Sequence, residues 1–189
     1  PQYRWALLSE RLGTDCWVKH ENHTPVGAFK IRGGLTYFEQ LAQTGALPRE
    51  VISATRGNHG QSVGWAARAH GVACTIVVPH GNSLEKNAAM RALGVTLIEH
   101  GDDFQAAREH AQQLAEGRGA HMVPSFHPAL ISGVSTYWWE FFKAVPQLDV
   151  VYVPIGLGSG VCAAIAAKLA LNHPARIVGV VSTLATTYA

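Results

Sequence analysis

The stretch VISATRGNHGQSVGWAARAHGVACTIVV, which runs from Val51 to Val78, decides the fold class. It opens with the β-branched run Val51–Ala54 and closes with a second such run, Cys74–Val78. Both runs are typical of buried strands, and the Ala-rich segment Gln61–His70 between them has the length and spacing of a helix. A strand, a helix and a strand in this order predict a βαβ unit with parallel strands.

The same alternation continues along the chain on both sides of this unit. Further strands are predicted at Cys16–Lys19, Thr96–Glu99, Val150–Ile155 and Ile177–Val181. Further helices are predicted at Leu84–Leu93, Asp103–Gly117, Ser132–Ala144 and Ser159–Leu171. We therefore expect an α/β fold with two open, doubly wound parallel sheets, one of them within Val51–Val123. The final residues STLATTYA follow a strand without a closing helix, so we also expect an incomplete chain.

Composition excludes several classes of protein. The chain has 189 residues, of which 48% are hydrophobic and 15% charged, so it can bury a substantial core. Its net charge of +2 comes from scattered basic residues, which disfavours a nucleic-acid partner and favours a small molecule. No uninterrupted apolar run reaches the roughly 18 residues of a membrane span. Three widely spaced cysteines, Cys16, Cys74 and Cys162, favour a reducing, cytoplasmic setting over a disulfide framework.

Three glycine-bearing loops carry the candidate chemistry. The first, TPVGAFKIRGG at residues 24–34, places Lys30 after a turn and an aromatic residue, where a helix can begin. A helix N-terminus and partial burial both lower the pKa of a lysine, which makes the neutral amine that attacks an aldehyde accessible near neutral pH. A Phe-Lys pair on its own is more often a solvated surface feature.

The second loop, SATRGNHGQ at residues 53–61, joins a predicted strand to a predicted helix. Its backbone N–H groups and polar side chains are suited to a carboxylate bound at a helix N-terminus. The alternative is that Thr55 or Asn58 serves only to cap the helix.

The third loop, GLGSG at residues 156–160, follows an apolar strand and opens an Ala-rich helix. Glycines let the backbone close around a phosphate, and the helix dipole favours its negative charge. A dinucleotide fingerprint is excluded, because Val161 replaces its third glycine and no acidic residue follows Asp149. The loop is suited to a monophosphate, unless it is a tight turn without a ligand. Together the three loops supply an amine, a carboxylate site and a phosphate cradle, and pyridoxal phosphate bound to an amino acid needs all three.

The chain resembles the serine/threonine dehydratase branch, which includes threonine ammonia-lyases, of the tryptophan-synthase-β-like pyridoxal-phosphate enzymes. Collinear motifs carry the resemblance, namely LLSERLG, VKHENHTPVGAFKIRGG, SATRGNHGQSVGWAARAHGVACTIVVP, KNAAMRALGV, HPALISGVSTYWWE and VPIGLGSG. It implies a tryptophan-synthase-β-like fold with a large cofactor-binding domain, residues 1–45 and 126–189, and a small mobile domain, residues 46–125.

The resemblance also implies roles for individual residues. Lys30 would hold pyridoxal 5'-phosphate as an imine, Phe29 would pack beside it, and Asn58 would hydrogen-bond the ring hydroxyl. The phosphate would be bound by Gly156, Leu157, Gly158, Ser159 and Gly160. The substrate carboxylate would be surrounded by Thr55, Arg56, Gly57 and His59.

The implied reaction is the elimination of water from threonine, serine or a 3-hydroxyaspartate-like substrate, which gives a 2-keto acid and ammonia. Relatives that racemise serine carry a serine where this chain has Arg56, so elimination with Lys30 as the proton carrier is favoured over racemisation. Arg56 is instead suited to pairing with a carboxylate, including one on a substrate side chain. The alternatives are a β- or γ-replacement enzyme, similar to a cysteine or threonine synthase, and a non-catalytic anion-binding module.

The remaining polar and aromatic clusters have simpler interpretations. We expect no metal site, because pairs such as His121 with His127 lack the spacing and the third partner that ligands need. Lys86 and Arg91 are interpreted as part of a solvated helix face. The aromatic run around Trp138 places one side of its helix in the core, and the other side meets a second domain or a subunit. We also expect a homodimer or a higher homo-oligomer.

Overall fold

The computed structural model describes residues 1–184 as strands and helices that alternate along the chain. The strands are β1 (Gln2–Arg4), β2 (Trp17–Lys19), β3 (Glu50–Ala54), β4 (Ala73–Val78), β5 (Thr96–Glu99), β6 (His121–Met122), β7 (Val150–Pro154) and β8 (Arg176–Val180). The helices are α1 (Ala6–Leu12), α2 (Lys30–Gln43), α3 (Asn58–Ala69), α4 (Leu84–Ala92), α5 (Phe104–Arg118), α6 (Pro128–Ala144) and α7 (Ser159–Leu171). A short 3-10 turn, Glu21–His23, precedes α2.

A four-stranded parallel sheet with the order β5-β4-β3-β6 uses the middle of the chain. The chain moves outward from β3 to β4 and β5, and then returns to place β6 on the opposite side of β3. The direction of winding therefore reverses at β3, and in open α/β sheets ligands bind outside the carboxyl ends of strands at such a switch point. The loop that follows Ala54 lies at this position.

Alternate residues of the central strands face opposite sides of the four-stranded sheet, because side chains alternate along a strand. On one side Val51 packs with Phe38 of α2 and Val63 of α3. On the other side Ile52 packs with a row of alanines from α5, namely Ala107, Ala111 and Ala115. Helices therefore cover both faces, which is why these strands read as continuous apolar runs rather than alternating ones.

A second parallel sheet pairs β7 with β8, and a small antiparallel sheet pairs β1 with β2. The aromatic run of α6 builds the core beside β7 and α7, because Trp138, Phe141 and Phe142 are all buried there. Trp139 points the other way and is 40% exposed, as the helical spacing predicts. The predicted α/β class with parallel sheets is confirmed, whereas the division into a large and a small mobile domain stays a prediction.

Several elements differ from the sequence-based expectation. The pattern does not predict β1, β6, α1 or the full length of α2, and it begins α3 and α6 a turn too late. α2 contains Gly33 and Gly34, which lower helix propensity, and polar residues fill the first turn of α3. α6 begins at Pro128, where the preceding His127 accepts a hydrogen bond from the Ala129 amide at 3.1 Å. Among residues 1–184, no helix has both the length and the apolar composition that crossing a bilayer requires.

An ion-pair network joins the N-terminal hairpin to the helices. The Arg32 guanidinium of α2 bonds Glu21 at 2.7 Å and Glu140 of α6 at 2.6 Å. Lys19 of β2 reaches the same Glu140 carboxylate at 2.6 Å. The hydrogen bond from Arg32 is the main reason why the pKa of Glu140 is lowered to about 2. The network holds the 3-10 turn, and thus the start of the first glycine loop, against α2 and α6.

α2 crosses α3 and α6 at very short distances. A Cβ atom on Gly33 would lie 2.8 Å from the Leu130 carbonyl oxygen of α6, and one on Gly34 would overlap the Ser62 hydroxyl of α3. Likewise, a Cβ atom on Gly133 of α6 would overlap the Arg32 carbonyl oxygen. Only glycine permits these approaches, because backbone atoms at the crossing cannot move aside as a flexible side chain does.

Replacement of Gly133 by alanine tests this crossing. We expect Gly133→Ala to lower the free energy of unfolding by about 1–3 kcal/mol, because the added methyl group overpacks a backbone contact. Gly117→Ala is the matched control, since Gly117 lies on the exposed side of α5 and no atom lies within 4 Å of the position that its methyl group would take. The control should gain roughly 0.5–1 kcal/mol from helix propensity. Urea denaturation measures both, and equal effects would contradict the close crossing.

Candidate active site

The first and third glycine loops meet at Lys30, the first residue of α2. Its Nζ donates a hydrogen bond to the Oγ of Ser159 at 3.2 Å, although the two residues are 129 positions apart. The Phe29 ring lies below the amine, with 5.1 Å between Nζ and the ring centroid. Burial lowers the pKa of Lys30 from its ordinary value. The structure therefore places a partly desolvated amine at the start of α7, as the three-loop interpretation requires.

Aromatic side chains of α6 hold the third loop in this position. Trp138 Nε1 donates a hydrogen bond to the Gly160 carbonyl oxygen at 3.1 Å within the core. The Tyr137 ring packs against Phe29 with 5.7 Å between ring centroids. A side chain on Gly160 would begin 3.6 Å from the Phe29 ring. The loop thus lies directly on the residue that precedes Lys30.

The start of α7 offers backbone donors for an anion. The first hydrogen bond of the helix runs from the Cys162 amide to the Gly158 carbonyl at 3.0 Å, and no side chain caps this end. Within residues 1–184 the amides of Ser159, Gly160 and Val161 consequently have no acceptor. Three free amides at a helix N-terminus fit a phosphate group.

The second loop is shaped by the Thr55 hydroxyl. This buried oxygen accepts hydrogen bonds from the Gly57 amide at 2.9 Å and the Gly60 amide at 3.3 Å. Thr55 thus organises the turn, which is the capping role that the sequence left open beside the role in substrate binding. In the described part of the chain, the amides of Asn58 and His59 remain without acceptors and are available to a carboxylate.

A hydrogen bond connects this helix to the lysine. The Ser62 hydroxyl of α3 donates to the Lys30 carbonyl oxygen at 2.5 Å. The bond fixes the first turn of α2 relative to the second loop. Sequence reasoning missed Ser62, because a serine within a helix carries no local signal of a partner 32 residues away.

Lys86 of α4 lies across the second loop rather than on a purely solvated face. The position that a Cβ atom on Gly57 would take is filled by Lys86, whose Cδ overlaps it and whose Cβ and Cγ lie 3.1 Å away. Gly57 has a φ of +148°, a conformation that side chains rarely adopt. The interpretation of Lys86 and Arg91 as a solvated face therefore holds for the exposed Arg91 but is incomplete for Lys86, whose methylene groups pack on Gly57. Gly57 is needed for both its conformation and its contact.

His59 is buried and electrically neutral. Burial lowers its pKa to about 4, the nearby Lys30 charge lowers it as well, and a hydrogen bond with the Pro124 backbone opposes the shift. Its Nε2 has no hydrogen-bond partner within residues 1–184. A buried polar atom without a partner is unusual and marks a place that a ligand or water completes.

The remaining predicted site residues include three that lie at the surface. Asn58, Arg56 and Leu157 are exposed, and the side chains of Asn58 and Arg56 make no hydrogen bond to another described residue. The structure therefore brings Lys30 and Ser159 into direct contact, while it leaves the Asn58 amide group and the Arg56 guanidinium facing solvent. Groups of three or more His, Cys, Asp or Glu residues that could hold a metal ion are absent from residues 1–184.

The fold and the site together define an α/β protein in which a buried amine lies beside a helix N-terminus with free amides. The family model described as "Pyridoxal-phosphate dependent enzyme" matches residues 1–189. The chain belongs to this family of pyridoxal-phosphate dependent enzymes. The motif-based resemblance and the cofactor of the family are thereby confirmed.

Individual relatives agree with this assignment. The chain is 36% identical over 182 residues to a threonine dehydratase from Nicotiana attenuata. The alignment covers 95% of this chain and 30% of the dehydratase. It is 35% identical over 176 residues to an L-threonine ammonia-lyase from Thermotoga maritima. This alignment covers 93% of this chain and 44% of the ammonia-lyase. The chain therefore spans less than half the length of these two relatives.

A solved structure shows the same fold. The processed form of threonine deaminase isoform 2 from Solanum lycopersicum superposes with a TM-score of 0.88 at 30% sequence identity. The match covers 96% of this chain and 50% of that chain. The tryptophan-synthase-β-like fold that the motifs imply is consistent with this superposition.

The burial of neutral His59 predicts a dependence of stability on pH. An unfolded histidine binds a proton below its ordinary pKa of 6.5, whereas folded His59 resists protonation down to about 4. Its contribution is therefore complete above pH 6.5 and is lost as the pH falls towards 4. We expect wild type to lose roughly 2–3 kcal/mol from this group between about pH 7 and pH 4.5.

His59→Gln should remove this part of the pH dependence, since glutamine does not titrate. The exposed His80→Gln serves as the control and should keep the wild-type slope. Urea denaturation at several pH values measures the difference. Parallel pH profiles for wild type and His59→Gln would show that His59 is not held neutral in the fold.

Proposed function

We propose that the protein is a pyridoxal-phosphate dependent dehydratase, or ammonia-lyase, that eliminates water from a small hydroxy-amino acid. Threonine, serine and 3-hydroxyaspartate-like compounds are the substrate class, and a 2-keto acid and ammonia are the products. One observation carries the proposal: the desolvated Lys30 amine lies 3.2 Å from Ser159, at a helix N-terminus with three free amides. The dehydratases among the relatives support it.

The residues present fit the cofactor. The amides of Ser159, Gly160 and Val161 would hold its phosphate, together with the exposed backbone at Gly156 and Leu157. Lys30 would carry it covalently, Phe29 would pack beside it, and the exposed Asn58 amide would bond its ring hydroxyl. When bound, pyridoxal phosphate supplies an aldehyde that condenses with amines and a ring that takes up electrons from the Cα atom.

Lys30 would also move the proton. Its lowered pKa keeps a fraction of the amine neutral near neutral pH, and a neutral Nζ can accept the α-proton of the substrate. Ser159 Oγ and the Phe29 ring hold Nζ in place, while Ser62 fixes the backbone of the same residue. The Arg56 guanidinium has only hydrogen-bond donors and offers no second base. One proton carrier favours elimination over racemisation.

The second loop would bind the substrate carboxylate. The free amides of Asn58 and His59 point from the helix N-terminus, and the Thr55 hydroxyl keeps the turn in the shape that exposes them. Gly57 lets the chain turn tightly at this point, and the exposed Arg56 guanidinium beside the turn remains available for a further carboxylate of the substrate. These contacts would orient the Cα–H bond relative to Lys30.

Three further features complete the proposal. The cysteines Cys16, Cys74 and Cys162 are all free thiols, which supports a reducing compartment such as the cytoplasm.

Trp139 exposes 40% of its surface on α6 and supports contact with another subunit in a homodimer or higher homo-oligomer. The separate four-stranded sheet of β3 to β6 supports a small domain at residues 46–125 that moves relative to residues 1–45 and 126–189.

Covalent capture of the cofactor tests the role of Lys30. We expect the purified protein to absorb in the visible range with pyridoxal phosphate, and borohydride reduction to leave a stable adduct on Lys30 in mass spectra. Lys30→Ala should lose both signals, whereas the surface control Lys143→Ala should retain them. An adduct on another lysine, or none, would remove the basis of the proposal.

Product analysis tests the reaction class. We expect keto acid and ammonia from a hydroxy-amino acid without any second nucleophile, at a rate at least about 1,000-fold lower in Lys30→Ala. Turnover that requires an added thiol or other nucleophile would instead identify a β- or γ-replacement enzyme. A protein that binds pyridoxal phosphate but converts no hydroxy-amino acid would contradict the dehydratase assignment.

A further inference from the structure

Two cations at the second loop are not neutralised by any residue in the described part of the chain. Arg56 is exposed, Lys86 is half-buried, and neither forms an ion pair within residues 1–184. Five of the fifteen lysine and arginine residues pair with carboxylates in the described structure, namely Arg4, Lys19, Arg32, Arg91 and Arg118, and Arg56 and Lys86 are among the other ten. Two unpaired cations therefore lie at the loop proposed to bind substrate.

The two side chains belong to the same short stretch of surface. Arg56 directly precedes Gly57, and the methylene groups of Lys86 cover Gly57 from α4. The Lys86 Cδ atom occupies the position that a Cβ atom on Gly57 would take, and Nζ is two bonds further along the side chain. Packing of the methylene groups fixes where the ammonium can reach, because the stem of a lysine is held while its charged end stays accessible.

The α-carboxylate of the substrate does not require these cations. The free amides of Asn58 and His59, at the start of a 12-residue helix, already provide donors for one carboxylate. The buried Nε2 of His59 in the same turn has no partner among the described residues, which independently points to a bound ligand here. Arg56 and Lys86 then remain for a second anionic group.

We propose that Arg56 and Lys86 bind the side-chain carboxylate of a dicarboxylic 3-hydroxy-amino acid, of which 3-hydroxyaspartate is the simplest. The inference rests on the proposed dehydratase function and narrows its substrate class. Once the amino group is engaged, a monocarboxylic substrate brings one negative charge to the loop and a dicarboxylic substrate brings two. Two unpaired cations and a helix N-terminus match the second case.

The reaction balances for this substrate. 3-Hydroxyaspartate loses its α-hydrogen as a proton to Lys30 Nζ, and its β-hydroxyl departs with a proton as water. Addition of water to the resulting enamine carbon and release of ammonia give oxaloacetate. No oxidant or reductant is required, so the chemistry is the same as for serine or threonine.

Substrate comparison on the holoenzyme is the first test. We expect kcat/KM for 3-hydroxyaspartate to exceed that for threonine and serine by at least about 10-fold. Arg56→Met and Lys86→Met should each lower the dicarboxylate value by roughly 10-fold or more and change the monocarboxylate values less than about 3-fold. Arg108→Met, at an exposed cation of α5, is the matched control and should change neither.

Charge-preserving variants separate charge from folding. Lys86→Arg keeps both the stem and the charge over Gly57 and should retain the preference for the dicarboxylate, whereas Lys86→Met keeps an apolar stem without the charge and should lose it. Equal preference for all substrates in wild type, or equal losses for all substrates in Arg56→Met and Lys86→Met, would overturn the proposal.

Equilibrium binding supplies a readout that does not depend on turnover. We expect succinate to bind wild type at least about 10-fold more tightly than butyrate, and this ratio to fall towards one in Arg56→Met and Lys86→Met. If no hydroxy-amino acid is converted but succinate is still preferred through both cations, the dehydratase function fails while the dicarboxylate site stands. If conversion occurs without any preference for two carboxylates, only the narrower inference fails.

Discussion

The close crossing of α2 with α3 and α6 is the constraint on which the site depends. The three helices approach so closely that Gly34 and Gly133 leave no room for a side chain. This contact sets Lys30, at the first turn of α2, between the starts of α3 and α7. The Ser62 hydroxyl then binds the backbone of Lys30, and Ser159 binds its amine. A small displacement of α2 would separate the amine from both loops, since each contact is a single hydrogen bond.

The starts of α3 and α7 share one feature, namely free backbone amides that suit an anionic ligand group. In each helix the first amides lack acceptors within the described chain, because a threonine or a glycine turn replaces the usual side-chain cap. Free amides and the helix dipole favour an anion without placing a full charge in the fold. The α7 start lies against Lys30 and suits a phosphate. The α3 start lies beside Arg56 and suits a carboxylate. The distance between the two ends would then be spanned by the cofactor joined to its substrate.

Burial adjusts the protonation of the groups around Lys30. Desolvation lowers the pKa of the lysine amine and of the His59 imidazole, which makes the neutral form of each more accessible. A neutral amine can attack a carbonyl group and accept a proton, whereas a protonated one can do neither. Under the proposed function, the exposed Arg56 and the half-buried Lys86 would influence which substrate binds, and Lys30 would determine the reaction that follows.

The sequence by itself determined the α/β alternation and the three loops, and it selected Lys30 as the candidate amine, because these inferences depend on local periodicity, glycine spacing and collinear motifs. It also predicted the buried and exposed sides of α6 from helical spacing alone. Only the tertiary structure decided that Thr55 shapes its turn, that Ser62 and Trp138 hold the loops, and that Lys86 lies over Gly57. Most of these contacts join residues that are distant in sequence, and a local pattern carries no information on which distant atom fills a given space. The physical reason is that close packing is a property of the whole fold, whereas strand, helix and turn preferences are properties of short segments.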